Sequence, residues 1–140
     1  MHEHARFERA DRPSARLAEL LPGLLFSPQP RLYAIVAESP TGLIGYATAS
    51  LELSSWRAAE YLHMDCLYLR EAARGAGTGS MLLAGIVGVA QALGAPEVQW
   101  QTPSWNAAAI RFYERAKATS QVKHRYSLPV GDAITVRSRE

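Results

Sequence analysis

The stretch Arg74-Gly75-Ala76-Gly77-Thr78-Gly79, set between an extended apolar run and a long apolar helical segment, constrains this chain more than any other. Three glycines at alternate positions let the backbone pass close to a ligand and turn amides toward it without Cβ obstruction. A helix opening there adds unpaired N–H groups and the positive end of its dipole. Together these suit a phosphate or pyrophosphate. A plain strand-to-helix turn explains the six residues about as well, so the flanking elements have to decide.

Those elements alternate along the chain. Ala5–Ala10 reads as a short strand, and a helix follows over about Ala15–Leu21, stopped by Pro22-Gly23. Leu32–Glu38 and Leu43–Leu53 are rich enough in β-branched and aromatic residues to be strands, joined by a hairpin turn at Ser39-Pro40-Thr41-Gly42. Tyr61–Leu69 is the next strand. After the glycine loop a helix runs to about Leu93 and closes at Gly94-Ala95-Pro96. Glu97–Thr102 is a strand and Asn106–Ala116 a helix, and Val122–Leu128 and Ala133–Val136 complete the strands. The fold class is α+β, with a mixed, mostly antiparallel central sheet flanked by helices.

Composition bounds the partners. The 140 residues suit one domain, with 48% hydrophobic and 20% charged residues. A net charge of +2 is too mild to argue for nucleic acid. The single cysteine, Cys66, fits a reducing cytoplasm. No signal-like segment opens the chain and no apolar run is long enough for a membrane span, so a soluble cytoplasmic protein is expected.

With these elements in order, Tyr61–Tyr113 resembles the core of the GNAT superfamily of N-acetyltransferases, which move an acetyl group from acetyl-CoA to an amine. That family's loop reads Gln/Arg-x-x-Gly-x-Gly/Ala, follows its fourth strand and precedes a long helix. A fifth strand then ends near an Asn, here Asn106, before a helix carrying Phe112-Tyr113. The resemblance implies a single GNAT domain over residues 1–140 and acetyl-CoA as co-substrate, with no metal. It places the pyrophosphate on Arg74, Gly75, Gly77, Gly79 and Ser80. The pantetheine arm would lie between the fourth and fifth strands, against backbone groups of Leu67 and Leu69 and near Asn106. The acetyl group would pass to the amine by direct attack, with no covalent enzyme intermediate.

Acetyl transfer has two proton problems: the amine must be neutral, and the leaving thiolate benefits from an acid. Tyr113 is the candidate acid, since Asn106, Ile110 and Tyr113 share a helix face. Strand alternation puts Tyr61, His63, Asp65, Leu67 and Leu69 on one face and Leu62, Met64, Cys66 and Tyr68 on the other. Asp65 falls where diamine acetyltransferase-like members carry a glutamate that takes the amine proton through water, and His63 near the glutamate of histone-type members. Either is a base, an amine anchor or a structural polar group. Glu52 and Glu60 are weaker candidates for attracting a cation.

Two features depart from the family pattern. Where it usually reads Leu-Gly after the Phe-Tyr helix, this chain has Ala116-Lys117. A lysine at positive φ costs on the order of 1 kcal/mol, so the helix is expected to run on to Thr119-Ser120. The second is Ser80–Leu93, which has no charged residue, so its outer side is expected to be covered by the C-terminal segment or by a second subunit of a homodimer. The acceptor pocket would draw on Leu24-Leu25-Phe26, Ser54-Ser55-Trp56-Arg57 and Lys123-His124-Arg125-Tyr126. A small-molecule amine is the favoured acceptor. A peptide or protein N-terminus, or a catalytically idle acyl-CoA-binding regulatory module, is the alternative.

Overall fold

A computed structural model describes residues 1–130. Helix α1 (His2–Glu8) and helix α2 (Leu17–Phe26) precede strands β1 (Tyr33–Ser39), β2 (Gly42–Ser54) and β3 (Ala59–Leu69). Helix α3 (Thr78–Leu93), a short strand β4 (Val98–Gln99) and helix α4 (Ala107–Arg115) follow. The sheet order is β1-β2-β3-β4, antiparallel except for the parallel β3–β4 pair. The mixed sheet with flanking helices is the architecture expected from sequence.

Helix α3 packs on one sheet face. Leu82, Ile86 and Ala90 fall on one stripe of the helix and are buried against Ala47, Ala49, Leu62, Met64 and Leu69. Small residues hold the layers close. A Cβ on Gly85 would come within 3.1 Å of Ile35 on β1, and one on Gly45 would strike the β3 backbone at Tyr68. The helix ends as its sequence indicates. Gly94 is left-handed, and the Ala95 and Gly94 amides donate back to the Ala90 and Gln91 carbonyls.

The opposite face differs from expectation because β3 carries one extra residue. Thr48 pairs with Cys66 and Ala49 with Met64, which leaves Asp65 as a bulge opposite no residue of β2. The bulge reverses the alternation. Leu67 and Leu69 therefore share the α3 face with Leu62 and Met64, while Tyr61, His63, Cys66 and Tyr68 share the other with Tyr46. The single-phase assignment of these side chains is corrected accordingly.

Other boundaries also change. Ala5–Ala10 is not a strand: the segment belongs largely to α1, where His4, Phe7 and Glu8 take the i, i+3, i+4 spacing of a helix face. Helix α2 does not stop at Pro22 but continues to Phe26, and the Arg31 and Leu32 amides donate back to the Leu24 carbonyl near its end. β4 is shorter than Glu97–Thr102 because only Val98 and Gln99 reach β3. Val122–Leu128 forms no strand and is exposed, and Ala133–Val136 lies outside the described residues.

Helix α4 also ends earlier than expected. Lys117 adopts φ 61°, its amide donates to Glu114 and the Ala118 amide to Tyr113. This is the same reverse cap that Gly94 provides for α3, built on a lysine. The two returning hydrogen bonds outweigh the steric cost of the left-handed backbone. Replacing Lys117 with glycine removes that cost. Chemical denaturation of Lys117→Gly is expected to show a gain of about 1 kcal/mol, and an unchanged or lower midpoint would contradict the assignment.

Candidate active site

A gap opens beside β3. Strand β4 pairs with it only at Leu62↔Val98 and His63↔Gln99. The Arg70 amide donates to the Ile44 carbonyl on the β2 side. One residue earlier, Leu69 must turn its backbone groups the other way, and Leu67 does the same. Both therefore face the open edge, where an extended ligand can pair with them as a strand would.

At the end of that edge lies the glycine loop. Gly75 and Gly77 adopt φ 86° and 83°, and added Cβ atoms would meet nothing within 4 Å. Their lack of side chains is needed for the backbone turn, and the space beside them is open to a ligand. Gly77 precedes α3, whose first turn has no side-chain cap, leaving amides of Thr78, Gly79 and Ser80 directed out of the helix end. Gly79 also packs closely: a Cβ there would lie 3.4 Å from Phe112. This open cradle fits a pyrophosphate, and the open edge at Leu67 and Leu69 fits the amide-bearing arm of coenzyme A. Arg74 donates from Nε to the Leu69 carbonyl at 3.0 Å and lies 4.8 Å from the Phe7 ring centre.

The far wall comes from α4. Asn106 is buried, and its side-chain oxygen accepts from the Ala109 amide at 3.2 Å as the helix cap. That leaves its Nδ2 as the group free for a ligand. The Tyr113 ring packs on Trp100, with centroids 4.9 Å apart. Burial raises the Tyr113 pKa; a hydrogen bond with Thr102 opposes the shift, and the charge of Glu8 adds to it. The phenol is thus held protonated.

Helix α1 covers the face below the bulge. The His4 ring stacks on Tyr68 at 4.8 Å and 21°, and its Nδ1 lies 2.7 Å from the Tyr46 hydroxyl. Phe7 reaches both Tyr68 and Trp105, at 6.3 and 6.0 Å, so α1 bridges β3 and the segment leading into α4. Glu3 pairs with Arg70 at 3.1 Å and anchors the start of the helix. Burial lowers the His4 pKa below its ordinary 6.5 and raises that of Glu8. Asp65 is exposed at the bulge, and its charge acts on His4, Tyr46 and Cys66. Cys66 donates to the Asp65 carboxylate at 3.6 Å, and burial, reinforced by that carboxylate, pushes its thiol up to about 11.

The other sequence candidates lie nearer the closed end of the gap. His63 sits between Ser50 and Gln99, and Glu52 accepts a 2.7 Å hydrogen bond from the Tyr61 hydroxyl. A hollow of about 410 Å³ there joins Ser54, Ser55, Trp56 and Arg57 to Lys123, uniting two of the three expected acceptor segments. Leu24, Leu25 and Phe26 do not line it. The candidates from sequence do not include His4, Glu8, Tyr46 or Tyr68. The i, i+4 spacing of His4 and Glu8 is the signal for the helix face that carries the first two.

Comparison with known proteins gives a consistent answer. The model of the acetyltransferase (GNAT) family matches residues 1–117. The D-amino-acid N-acetyltransferase HPA3 of Saccharomyces cerevisiae is 35% identical over 83 residues, 59% of this chain and 52% of its own. The L-ornithine N5-acetyltransferase NATA1 of Arabidopsis thaliana is 32% identical over 80 residues, 57% of this chain and 35% of its own. The matched regions thus span about half and about a third of these relatives. An aminoglycoside acetyltransferase from an uncultured soil metagenomic sample, solved with sisomicin, shares the fold at TM-score 0.73 and 21% identity, covering 91% of this chain and 84% of that one.

The docking of α1 depends on pH. Because burial lowers the pKa of docked His4, the released imidazole binds a proton more readily than the docked one. The His4 contribution to docking is therefore full above 6.5 and is lost as pH falls below it, while the Glu8 carboxyl, raised by burial, acts in the opposite direction at lower pH. In Glu8→Gln, which removes the opposing carboxyl, hydrogen exchange of residues 2–8, corrected for intrinsic rates, is expected to show less protection at pH 5 than at pH 7.5. Equal protection in that variant would contradict this.

Proposed function

The chain belongs to the acetyltransferase (GNAT) family, and we propose that it moves an acetyl group from acetyl-CoA to the primary amine of a small molecule. The observation that carries this reading is the continuous open edge from Leu67 and Leu69 to Gly75 and Gly77. An acetyl thioester supplies the activated acyl group. Leu67 and Leu69 bind the arm that carries it, and one of their N–H groups polarises its carbonyl, a contribution typically of ~10²–10³ in rate. Gly75, Gly77 and the first amides of α3 hold the phosphates. Arg74 exchanges its bond to the Leu69 carbonyl for them.

Tyr113 keeps its proton at neutral pH and delivers it to the departing sulfur. Cys66 is protonated at neutral pH, which supports direct attack by the amine over an acyl-cysteine route. Asp65 and Glu8 supply negative charge on the acceptor side, which favours a cationic small molecule. The amine substrates named for the yeast and plant relatives agree with that class. We place the protein in a reducing compartment, where Cys66 stays a thiol. Its partner is a second copy of the chain, seated on the uncharged outer face of α3 where Met81, Val87 and Gln91 are exposed.

Three measurements test these points. Calorimetry should detect acetyl-CoA binding by the wild type and none by Gly77→Glu, which puts a carboxylate and a strained left-handed backbone into the cradle while meeting no atom of the core, and circular dichroism should show the same helix content in both. In a thiol-release assay over an amine library, Tyr113→Phe should lower kcat by about 10²-fold with KM for acetyl-CoA nearly unchanged. Binding without release by the wild type would instead mean an idle acyl-CoA-binding module. Sedimentation should give a dimer that Met81→Lys dissociates, and a wild-type monomer would remove the homodimer.

A further inference from the structure

His4 is an imidazole brought to the reaction face by an element outside the sheet. Its ring plane is fixed by stacking on Tyr68, and its Nδ1 is 2.7 Å from the Tyr46 hydroxyl. Its Nε2 lies 3.9 Å from the Glu8 carboxylate, too far for a direct hydrogen bond. With Nδ1–H donating to the Tyr46 oxygen, Nε2 presents its lone pair into that interval beside Glu8. The charge of Glu8 also acts on Tyr113, and that of Asp65 acts on His4 from the bulge. The groups around the imidazole are therefore Glu8 from α1 and the Met1 amino group just before it, Tyr46 from β2, and Asp65 and Tyr68 from β3, with Cys66 against the Tyr46 hydroxyl.

We propose that His4 is the group that takes the proton from the acceptor ammonium, with Glu8 holding that ammonium beside Nε2 and Tyr46 fixing the ring. The inference rests on the transferase reading above. The ammonium N–H gives its proton to Nε2, and the freed lone pair forms the N–C bond to the acetyl carbon as the C–S bond breaks. The sulfur takes the Tyr113 proton, and the surplus proton on the new amide nitrogen returns to the phenolate. The imidazolium then releases its proton to water, so one proton leaves per turnover. His4 differs from a carboxylate base in that its neutral form costs little to bury.

The test is the pH profile of amine turnover between pH 5 and 10, using the amine that performs best in the thiol-release screen. Wild-type kcat should rise through a limb centred below 6.5 and then level off. His4→Gln should lose that limb and follow the titration of the amine alone, about 10²-fold below wild type at pH 7 and approaching it at pH 10. Acetyl-CoA affinity by calorimetry should be unchanged. Tyr46→Phe should keep the limb but move it to lower pH, because the imidazolium loses its oxygen acceptor. Glu8→Gln should raise KM for the amine more than it lowers kcat. A His4→Gln profile that matches wild type, or one lowered equally at every pH, overturns the proposal, as does loss of acetyl-CoA binding. A wild type that releases thiol with no amine fails the transferase reading, and this inference with it.

Discussion

The bulge at Asp65 governs how this site is assembled. In a strand of strict alternation, Leu67 and Leu69 would point away from the core that Leu62 and Met64 enter, and half of the hydrophobic set would face water. One unpaired residue restores the phase, so Leu69 is buried with Leu62 and Met64 under α3. The same residue pushes Cys66 and Tyr68 onto the opposite face, beside Tyr46. It also leaves a carboxylate where the ladder is interrupted, close to the position at which β4 stops pairing. A strand bent at that point opens a gap where β4 does not pair with Leu67 and Leu69, and the Arg74 side chain bonds the Leu69 carbonyl in its place.

The two faces of the sheet are held by different physics. Under α3 the contacts are apolar and close, with Ala47, Ala49, Gly45 and Gly85 letting the backbones approach. Under α1 they are aromatic and polar: His4 on Tyr68, Phe7 between Tyr68 and Trp105, Glu3 on Arg70. An ion pair as exposed as Glu3–Arg70 adds little, so α1 is held mainly by its rings. A short helix attached in this way can adjust when a ligand enters, whereas α3 cannot without opening the core.

Much of the scaffold was legible locally. The limits of α3 follow from Gly77 before it and Gly94 after it, because a left-handed residue at each end marks where the chain enters and leaves the helix. The β1–β2 hairpin follows from Ser39-Pro40-Thr41-Gly42, and the start of α4 from the capping side chain of Asn106. Two differences share one cause. Pro22 within α2 and Lys117 at positive φ each run against a local preference of about 1–3 kcal/mol, which returning hydrogen bonds outweigh. The segment His2–Glu8 is different, because its Glu, Ala and Arg favour a helix locally.

The sequence by itself determined the glycine loop, the helix that follows it and the order of elements, because glycine φ preferences and apolar periodicity act over a few residues. It therefore pointed to the loop and strand edge where we propose that the donor binds. Only the tertiary structure decided which residues share the face opposite α3, because a single bulge changes the phase of every side chain beyond it. It also brought His4 and Glu8 from the start of the chain to Tyr46, Asp65 and Tyr113, a juxtaposition that packing across some 40 to 100 residues of sequence creates and no local pattern encodes.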